Sequence, residues 1–372
     1  MAVHIKMRRT RGSRARAGRR GGPAWPAARA RRAVAAAVVV LALTALTACQ
    51  VRIVQIGRTR TPRSAAAVAR RVDPRLVDVV STLGFLHRGA AGTGIVLTPG
   101  DEVLTNNHVI EGATAVTITD LGNGRTYQAT VVGYDERADL AVLRLRGASG
   151  LRALTASSRR IRLGEKVIAL GNAGGLGGNP AVAIGKITGL RESILARDAA
   201  AGTTEQLSGL IRSNVRLAPG DSGGPLLSAS GRLLGIDTAA AVGFHLMSGA
   251  SEGFAIPIGR ALGIARQIQA GRSSAVVHIG PTGFLGVQLT PARPPGAGAL
   301  VVGVIPGFPA ARAGLAAGDV IISAGGRRVS SPSAIAASLV PLHPGDSLAL
   351  TWADKAGGTH SATVKLATGP AA

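Results

Sequence analysis

The sequence predicts a mainly β protein, with an all-β barrel or sandwich followed by a small α+β unit. Two observations lead to this fold class. Short β-like runs, separated by turns rich in Gly, Asn and Asp, follow one another through the middle of the chain with no long helical period between them. Beyond residue 283, strands alternate instead with two short helical patterns. The 372 residues leave room for two such domains and a tail.

The first 71 residues carry most of the positive charge. They hold 17 of the 43 Lys and Arg residues and no acid, so the remainder has 26 basic against 19 acidic residues, or +7 of the total +24. We expect residues 50–71 to be a basic linker that lies near anionic lipid headgroups. Nucleic-acid binding is not expected, because this linker has no aromatic side chain on which bases could stack.

Residues 1–49 have the pattern of an export signal. A basic start is followed by the sixteen-residue run Ala33–Ala48, whose helix would rise about 24 Å, short of the roughly 20 residues that span a bilayer. The run ends at Cys49, and Leu46-Thr47-Ala48-Cys49 resembles the bacterial lipobox, in which the cysteine is lipidated. A lipoprotein is favoured, while a single signal anchor and a freely secreted product stay open. All three place the remaining chain outside the cytoplasmic membrane, and the first two anchor it there.

Residues 72–269 are expected to form the all-β domain. Strands are predicted at 94–98, 116–119, 129–134, 141–145, 166–170 and 233–238, and a closing helix at 259–269. Residues 270–283 are a connector that contains Gly and Ser. The second domain is expected over 284–368, with strands at 299–305, 320–324, 347–352 and 360–366 and short helices near 310–315 and 331–339.

The strongest chemical signal is the Gly-rich turn Gly220–Pro225, with the sequence GDSGGP. Such a turn presents the hydroxyl of Ser222 outward, and its glycines let the N–H groups of Gly220 and Ser222 converge. Two convergent N–H donors stabilise the oxyanion that forms when a serine oxygen attacks a carbonyl. The turn therefore predicts a nucleophilic serine with an oxyanion hole, the alternative being a plain surface turn.

A serine nucleophile needs a base, and the base needs an acid partner. His108 lies at the end of a β-like run, where its ring can turn toward a cleft. Asp139 directly precedes a strand that the sequence predicts to be buried, so we expect it to pair with His108; the alternative is a turn residue. The other five histidines of the mature chain are expected at the surface: His87, His245, His278, His343 and His360.

The chain order His108, Asp139, Ser222 is that of chymotrypsin-like proteases. The chain resembles the HtrA (DegP-like) family of bacterial serine proteases in the segments GTGIVLTPGDEVLTNNHVI, ADLAVLRL, KVIALGNAGGLGG, RLAPGDSGGPLL and GFAIPI. The resemblance implies a chymotrypsin-like double β-barrel over 72–269. It also implies peptide-bond hydrolysis by these three residues through an acyl-enzyme, without metal or cofactor, and a homotrimer as a possible assembly. A single Cys independently excludes a Cys-rich metal site.

Two positions depart from the family pattern. Asp221 stands where the family more often has Asn, and because that position contributes mainly backbone, activity is expected to survive. Arg216, six residues before Ser222, stands at the floor of the S1 pocket of this fold, where the family usually has a small residue. Arg216 either changes the P1 preference, toward tolerance of acidic residues, or points out of the pocket.

The second domain resembles a PDZ domain. Its opening, Phe284-Leu285-Gly286-Val287, matches the carboxylate-binding loop of that family, and AGLAAGDVI at 313–321 matches the turn and strand after the first helix. In this binding mode the loop N–H groups hold a terminal carboxylate while the peptide adds a strand to the sheet edge. The alternative is a docking module that binds no free C-terminus.

The sequence thus predicts an HtrA-like serine endopeptidase of the cell envelope, tethered to the membrane, that acts on exposed or misfolded polypeptides. The rival interpretation is a PDZ-based binding or chaperone-like protein whose protease barrel is dispensable. The complete set of His108, Asp139 and Ser222 favours the protease.

Overall fold

The computed structural model of the protein describes residues 64–86, 88–156, 159–172, 177–198, 204–238, 244–246 and 252–370. The predicted export signal, including Cys49, lies outside the described residues, as does His87. Within the described ranges, no helix has both the length and the apolar character needed to cross a membrane.

The first sheet closes into a six-stranded antiparallel barrel. Its strands follow the order β5-β4-β1-β2-β3-β6, the pairing of β5 with β6 closes it, and β14 adds to the outer edge of β5. The strands are β1 (Leu76–Leu83), β2 (Arg88–Val96), β3 (Glu102–Thr105), β4 (Ala115–Asp120), β5 (Thr126–Asp135), β6 (Leu140–Leu145) and β14 (Val277–Ile279).

The second sheet closes in the same way. The order is β8-β7-β10-β11-β13-β9, the pairing of β8 with β9 closes it, and β12 adds to β8. The strands are β7 (Lys166–Gly171), β8 (Ala181–Asp198), β9 (Thr204–Ser213), β10 (Pro225–Ser228), β11 (Leu233–Thr238), β12 (Phe244–Leu246) and β13 (Gly253–Pro257). Two consecutive barrels confirm the predicted mainly β fold.

A shared apolar core lies between the two barrels and two helices. It combines side chains from both sheets with those of α1 (Ala65–Val72) and α2 (Ile258–Gln269). Residues 65–71 were expected to belong to the basic linker, and this is wrong, because they form most of α1. Its apolar side chains Val68, Ala69 and Val72 are buried in the core, while Arg71 donates to the carbonyl of Ser230. The apolar and basic residues of this segment therefore form the two faces of an amphipathic helix.

The third sheet belongs to a small α+β domain. Its strands run in the order β16-β17-β18-β20-β21, with β19 on β18, and β15 pairs separately with β22. The elements are β15 (Gly283–Phe284), β16 (Val287–Pro291), β17 (Ala299–Val304), α3 (Pro309–Arg312), β18 (Val320–Ala324), β19 (Arg327–Arg328), α4 (Pro332–Leu339), β20 (Ser347–Ala353), β21 (Thr359–Lys365) and β22 (Ala367–Thr368). Strand β16 is an edge strand, and α4 packs against β16 and β17.

The connector joins the small domain firmly to the first barrel. Its strand β14 pairs with β5, and His278 on β14 is only 1% exposed, so the expectation of a surface histidine is wrong. The Nδ1 of His278 lies 2.5 Å from the carbonyl oxygen of Val340, and its Nε2 lies 3.1 Å from that of Pro281. Its ring also stacks on Tyr134 with centroids 5.0 Å apart. The histidine is buried because it links strand β5, the connector and the small domain.

Candidate active site

His108 and Asp139 form a buried pair in the first barrel. His108 lies in a single 3-10 turn after β3, and both side chains are 4% exposed. The Nδ1 of His108 is 2.9 Å from each carboxylate oxygen of Asp139, and the backbone N–H of His108 donates to Oδ1 at 3.1 Å. Thr238, the last residue of β11, donates its hydroxyl to Oδ2 at 2.8 Å. The Asp139 carboxylate therefore accepts hydrogen bonds from a residue of each barrel, His108 and Thr238.

The turn between β5 and β6 fixes the position of Asp139. Asp135 caps this turn by accepting from the N–H of Ala138 at 3.0 Å. Asp139 itself has φ of 53°, in the left-handed region that Asp adopts more readily than most residues. Asn106 holds its carbonyl from the other side, with Nδ2 to O at 2.8 Å. The side chains of Asp135 and Asn106 thus fix the backbone around Asp139 and direct its carboxylate toward His108.

Ser222 lies on a turn that requires glycine. Gly223 has φ of 84°, and a Cβ at this position would collide with the carbonyl of Thr93. The N–H of Gly223 donates to the carbonyl of Asp237 at 2.8 Å, which ties the turn to β11. The sequence predicted that the turn presents Ser222 outward, and this is wrong: Ser222 is 0% exposed. The residue is buried because its turn packs against β2 of the first barrel.

The serine turn and the histidine turn meet at Gly92 on β2. A Cβ on Gly92 would lie 2.7 Å from both methyl groups of Val109 and 3.1 Å from the carbonyl oxygen of Ser222. Val109 is the neighbour of His108 in the chain. Only glycine at this point of β2 lets the two turns come so close, and the structure therefore brings His108, Asp139 and Ser222 to the junction of the two barrels.

Two buried acids lie behind the serine turn. Asp221 is 5% exposed and accepts through Oδ2 from the N–H of Ala218 at 2.8 Å. Asp237 is 1% exposed, and its N–H donates to the carbonyl of Gly224. Burial raises the pKa of both carboxyls, and the pKa of Asp237 is raised further by the charge of Asp221. One oxygen of each, Oδ1 of Asp221 and Oδ2 of Asp237, has no hydrogen-bond donor among the described residues.

Arg216 lies apart from these contacts. The residue is exposed at the surface before the serine turn, so its influence on the P1 residue stays a prediction.

Four residues that contact the site were not predicted from the sequence: Thr93, Thr238, Asn106 and Asp237. Only Asp237 left a signal, as an acid within the apolar run of β11. The described residues include no group of three or more His, Cys, Asp or Glu side chains that could hold a metal ion.

The predicted carboxylate loop opens the small domain. Gly286 has φ of 77°, and a Cβ there would collide with Phe308. The carbonyls of Leu285 and Gly286 accept from the N–H groups of Ala310 and Ile305 at 3.0 and 2.8 Å, which turns both carbonyls inward. The side chain of Leu285 is 1% exposed and belongs to the core of this domain. Leu285 was predicted to bind substrate; its side chain is buried away from any peptide, and binding through its backbone stays a prediction.

The loop also contacts the first barrel. The ring of Phe284 stacks on that of Phe85, with centroids 5.5 Å apart, and Phe308 packs edge-on against both at 5.3 and 5.7 Å. Phe85 lies in the turn between β1 and β2. Three rings from two domains therefore form one cluster. Val287 follows the loop as the first residue of the edge strand β16.

Two family models match the chain: a trypsin-like peptidase domain over residues 92–236 and a PDZ domain over residues 283–366. Serine protease PepD of Mycobacterium tuberculosis is 33% identical over 323 residues, covering 82% of this chain and 66% of PepD. The putative serine protease HhoA of Synechocystis is 35% identical over 288 residues, covering 71% of this chain and 70% of HhoA. A probable periplasmic serine endoprotease, DegP-like, of Chlamydia pneumoniae is 34% identical over 251 residues, covering 65% and 48%.

The chain therefore spans between about half and 70% of the length of these curated relatives. Among solved structures, the HtrA-type protease AlgW with a tripeptide is 29% identical, with a TM-score of 0.46, and the match covers 83% of this chain and 98% of that one.

Proposed function

The chain belongs to the HtrA family of serine proteases, and we propose that it is an endopeptidase of the cell envelope that cleaves exposed or misfolded polypeptides. The observation that carries the proposal is the Asp139 carboxylate, which accepts from the Nδ1 and the N–H of His108 and from the hydroxyl of Thr238. This arrangement fixes the hydrogen of the neutral imidazole on Nδ1 and leaves the lone pair on Nε2, the atom that must act as a base.

The mechanism follows from these roles. Nε2 of His108 takes the proton of the Ser222 hydroxyl as its oxygen attacks the scissile carbonyl, and Asp139 stabilises the imidazolium that forms. The imidazolium then protonates the leaving amine, and an acyl-enzyme with Ser222 remains. Water, activated by the same histidine, hydrolyses this ester and restores the serine. No metal or cofactor takes part in the proposal.

The oxyanion of each tetrahedral intermediate needs donors. We assign this role to the N–H groups of Gly220 and Ser222. Gly220 has φ of 100°, which other residues rarely adopt, and so its N–H can be aimed where a side chain would forbid it. A donor of this kind contributes about 3 kcal/mol to transition-state stabilisation. Arg216, which is exposed near this turn, is a candidate for selecting the P1 residue.

The small domain is proposed to bind polypeptide C-termini. The inward carbonyls of Leu285 and Gly286 leave the N–H side of the loop for a carboxylate, and β16 offers a free edge beside α4. An apolar-ended peptide should bind the full-length Ser222→Ala protein at micromolar affinity, roughly −8 kcal/mol. The same peptide with an amidated C-terminus is the control. Equal affinities would leave the domain as a docking module without carboxylate capture.

Location is proposed from the tail and the relatives. An envelope location agrees with the word periplasmic in the names of several relatives, and anchoring rests on the sequence around Cys49. Radiolabelled palmitate should enter the wild-type protein but not Cys49→Ala. If neither protein is labelled and both fractionate with membranes, a signal anchor replaces the lipoprotein proposal.

The catalytic proposal is tested with an unfolded substrate such as casein. His108→Ala should lower the rate by several orders of magnitude, and Asp139→Asn should be severe but less complete. Circular dichroism controls for folding. The second candidate is a PDZ-based binding or chaperone-like protein. It predicts instead that the wild type and both variants protect substrates from aggregation equally well, and that none of the three proteins cleaves casein.

A further inference from the structure

Thr93, on β2 of the first barrel, has every polar group engaged. Its side chain is 0% exposed. Its hydroxyl donates to the carbonyl of Gly220 at 2.8 Å and accepts from the N–H of Asn172 at 2.9 Å. Its N–H donates to the carbonyl of Ser222 at 2.8 Å, and its own carbonyl accepts from the hydroxyl of Thr105 at 2.7 Å. Three of these four bonds cross from the first barrel to the second.

The crossing bonds hold the two residues to which we assign the oxyanion hole. Gly220 and Ser222 flank Asp221, and Thr93 anchors the carbonyl of each. Gly220 has no Cβ and a φ of 100°, so no side chain of its own holds its backbone. The peptide between Gly220 and Asp221 is held by the Gly220 carbonyl on Thr93 and by the Asp221 N–H, which donates to the carbonyl of Ala218 at 3.0 Å. Loss of the bond to Thr93 removes one of these two restraints and favours rotation of the peptide. Such a rotation can turn a carbonyl oxygen toward the position where negative charge develops. An acceptor would then stand where catalysis needs a donor.

We propose that Thr93 is a positioning residue for the oxyanion hole: its hydroxyl, acting through the carbonyl of Gly220, keeps the N–H groups of Gly220 and Ser222 aimed at the reacting carbonyl. Thr93 touches no substrate in this account. The proposal rests on the proposed serine protease function and assigns the first barrel a part in preparing a turn that belongs to the second.

The hydroxyl and the backbone of Thr93 can be separated by mutation. Thr93→Val keeps the shape of the side chain and removes the hydroxyl, whereas Thr93→Ser keeps the hydroxyl. Thr93→Ala removes the hydroxyl without crowding and replaces Thr93→Val if valine prevents folding. Ser228→Ala is the matched control, since Ser228 is another buried hydroxyl of this structure but lies at the turn between β10 and β11.

The kinetic test uses a short chromogenic peptide and active enzyme counted by titration. Thr93→Val should lower kcat by about 10- to 100-fold with KM within threefold of wild type, because an interaction needed only in the transition state is lost. Labelling of Ser222 by a fluorophosphonate should slow by a similar factor. Thr93→Ser and Ser228→Ala should stay within threefold of wild type. A purely structural role would lower the melting temperature and leave kcat per active enzyme unchanged, and that result would overturn the proposal.

A second readout does not depend on turnover. In hydrogen–deuterium exchange, a peptide that covers residues 217–224 should exchange at least about tenfold faster in Thr93→Val than in wild type, and at the wild-type rate in Thr93→Ser. Unchanged exchange contradicts the positioning role even if the enzyme is inactive. Conversely, a wild-type protein that neither cleaves nor labels refutes the proposed function, while the exchange arm still decides whether Thr93 holds the turn.

Discussion

Replacement of Asp78 by Asn should stabilise the protein, and the gain should depend on pH. Asp78 lies on β1 opposite Thr93 and is 5% exposed. Its Oδ1 has no hydrogen-bond donor among the described residues. Burial raises the pKa of this carboxyl from 3.8 to about 6. The folded state therefore binds the proton of Asp78 more tightly than the unfolded state, so the contribution of this group to stability is fully present below pH 3.8 and is lost as the pH rises through about 6.

The magnitude follows from the size of the shift. A change of about two pKa units corresponds to an upper limit of about 3 kcal/mol of unfolding free energy lost by pH 7.5. Asn is neutral at every pH and avoids this loss. Asp78→Asn should therefore exceed wild type by up to about 3 kcal/mol at pH 7.5 and differ from it by much less at pH 4.5. In melting temperature this is roughly 2–4 °C for each kcal/mol.

Urea denaturation at several pH values provides the assay, with both proteins in the Ser222→Ala background so that self-cleavage does not interfere. Asp101→Asn is the control for loss of one negative charge in the same barrel, because the Asp101 side chain is 37% exposed. Any stability cost of the asparagine amide itself is the same at each pH. The test therefore depends on how the stability difference between the two proteins changes with pH. The reasoning is refuted if the unfolding free energies of the two proteins, with and without Asp78→Asn in the Ser222→Ala background, differ by the same amount at pH 4.5 and at pH 7.5.

Three further substitutions test other contacts. Thr238→Val removes the second-barrel donor to Asp139 and should lower kcat about tenfold with little change in KM, measured with a chromogenic peptide. Burial and Asp221 raise the pKa of Asp237, so the contribution of this group to stability should fall as the pH rises above 3.8, and Asp237→Asn should weaken the pH dependence of the melting temperature. Phe85→Ala removes one ring of the cluster with Phe284 and should destabilise the small domain by about 1 kcal/mol in calorimetry; an unchanged melt would argue against the contact.

Local patterns predicted the elements whose reasons are local. The turn that carries Ser222 depends on glycines next to it in the chain, and the helix at 258–269 has its own apolar period. Asp139 could be singled out because it stands directly before the apolar strand β6. In each case the physical cause lies within a few residues of the feature, which is why a single sequence contains it.

Long-range contacts explain what the sequence did not predict. Thr93 meets Gly220 across 127 residues of chain, and Thr238 meets Asp139 across 99. The hydrophobic periodicity of a sequence indicates local structure and does not predict pairs so far apart in the chain. The sequence did not predict helix α1, because its arginines suggested a basic linker and only the fold shows that Val68 and Val72 are buried in the core. His278 is buried by its contact with Val340 of the small domain, and the residues next to it in the sequence do not indicate this contact.

The central claim is that Ser222 is the nucleophile of a peptidase, and active-site labelling tests it most directly. A fluorophosphonate forms a covalent bond only with a serine whose oxygen is activated by a neighbouring base. Purified wild-type protein should incorporate one label per active chain, mapped by mass spectrometry to Ser222, and should cleave casein. Ser222→Ala should show neither labelling nor cleavage. Casein cleavage retained by purified Ser222→Ala would contradict the account.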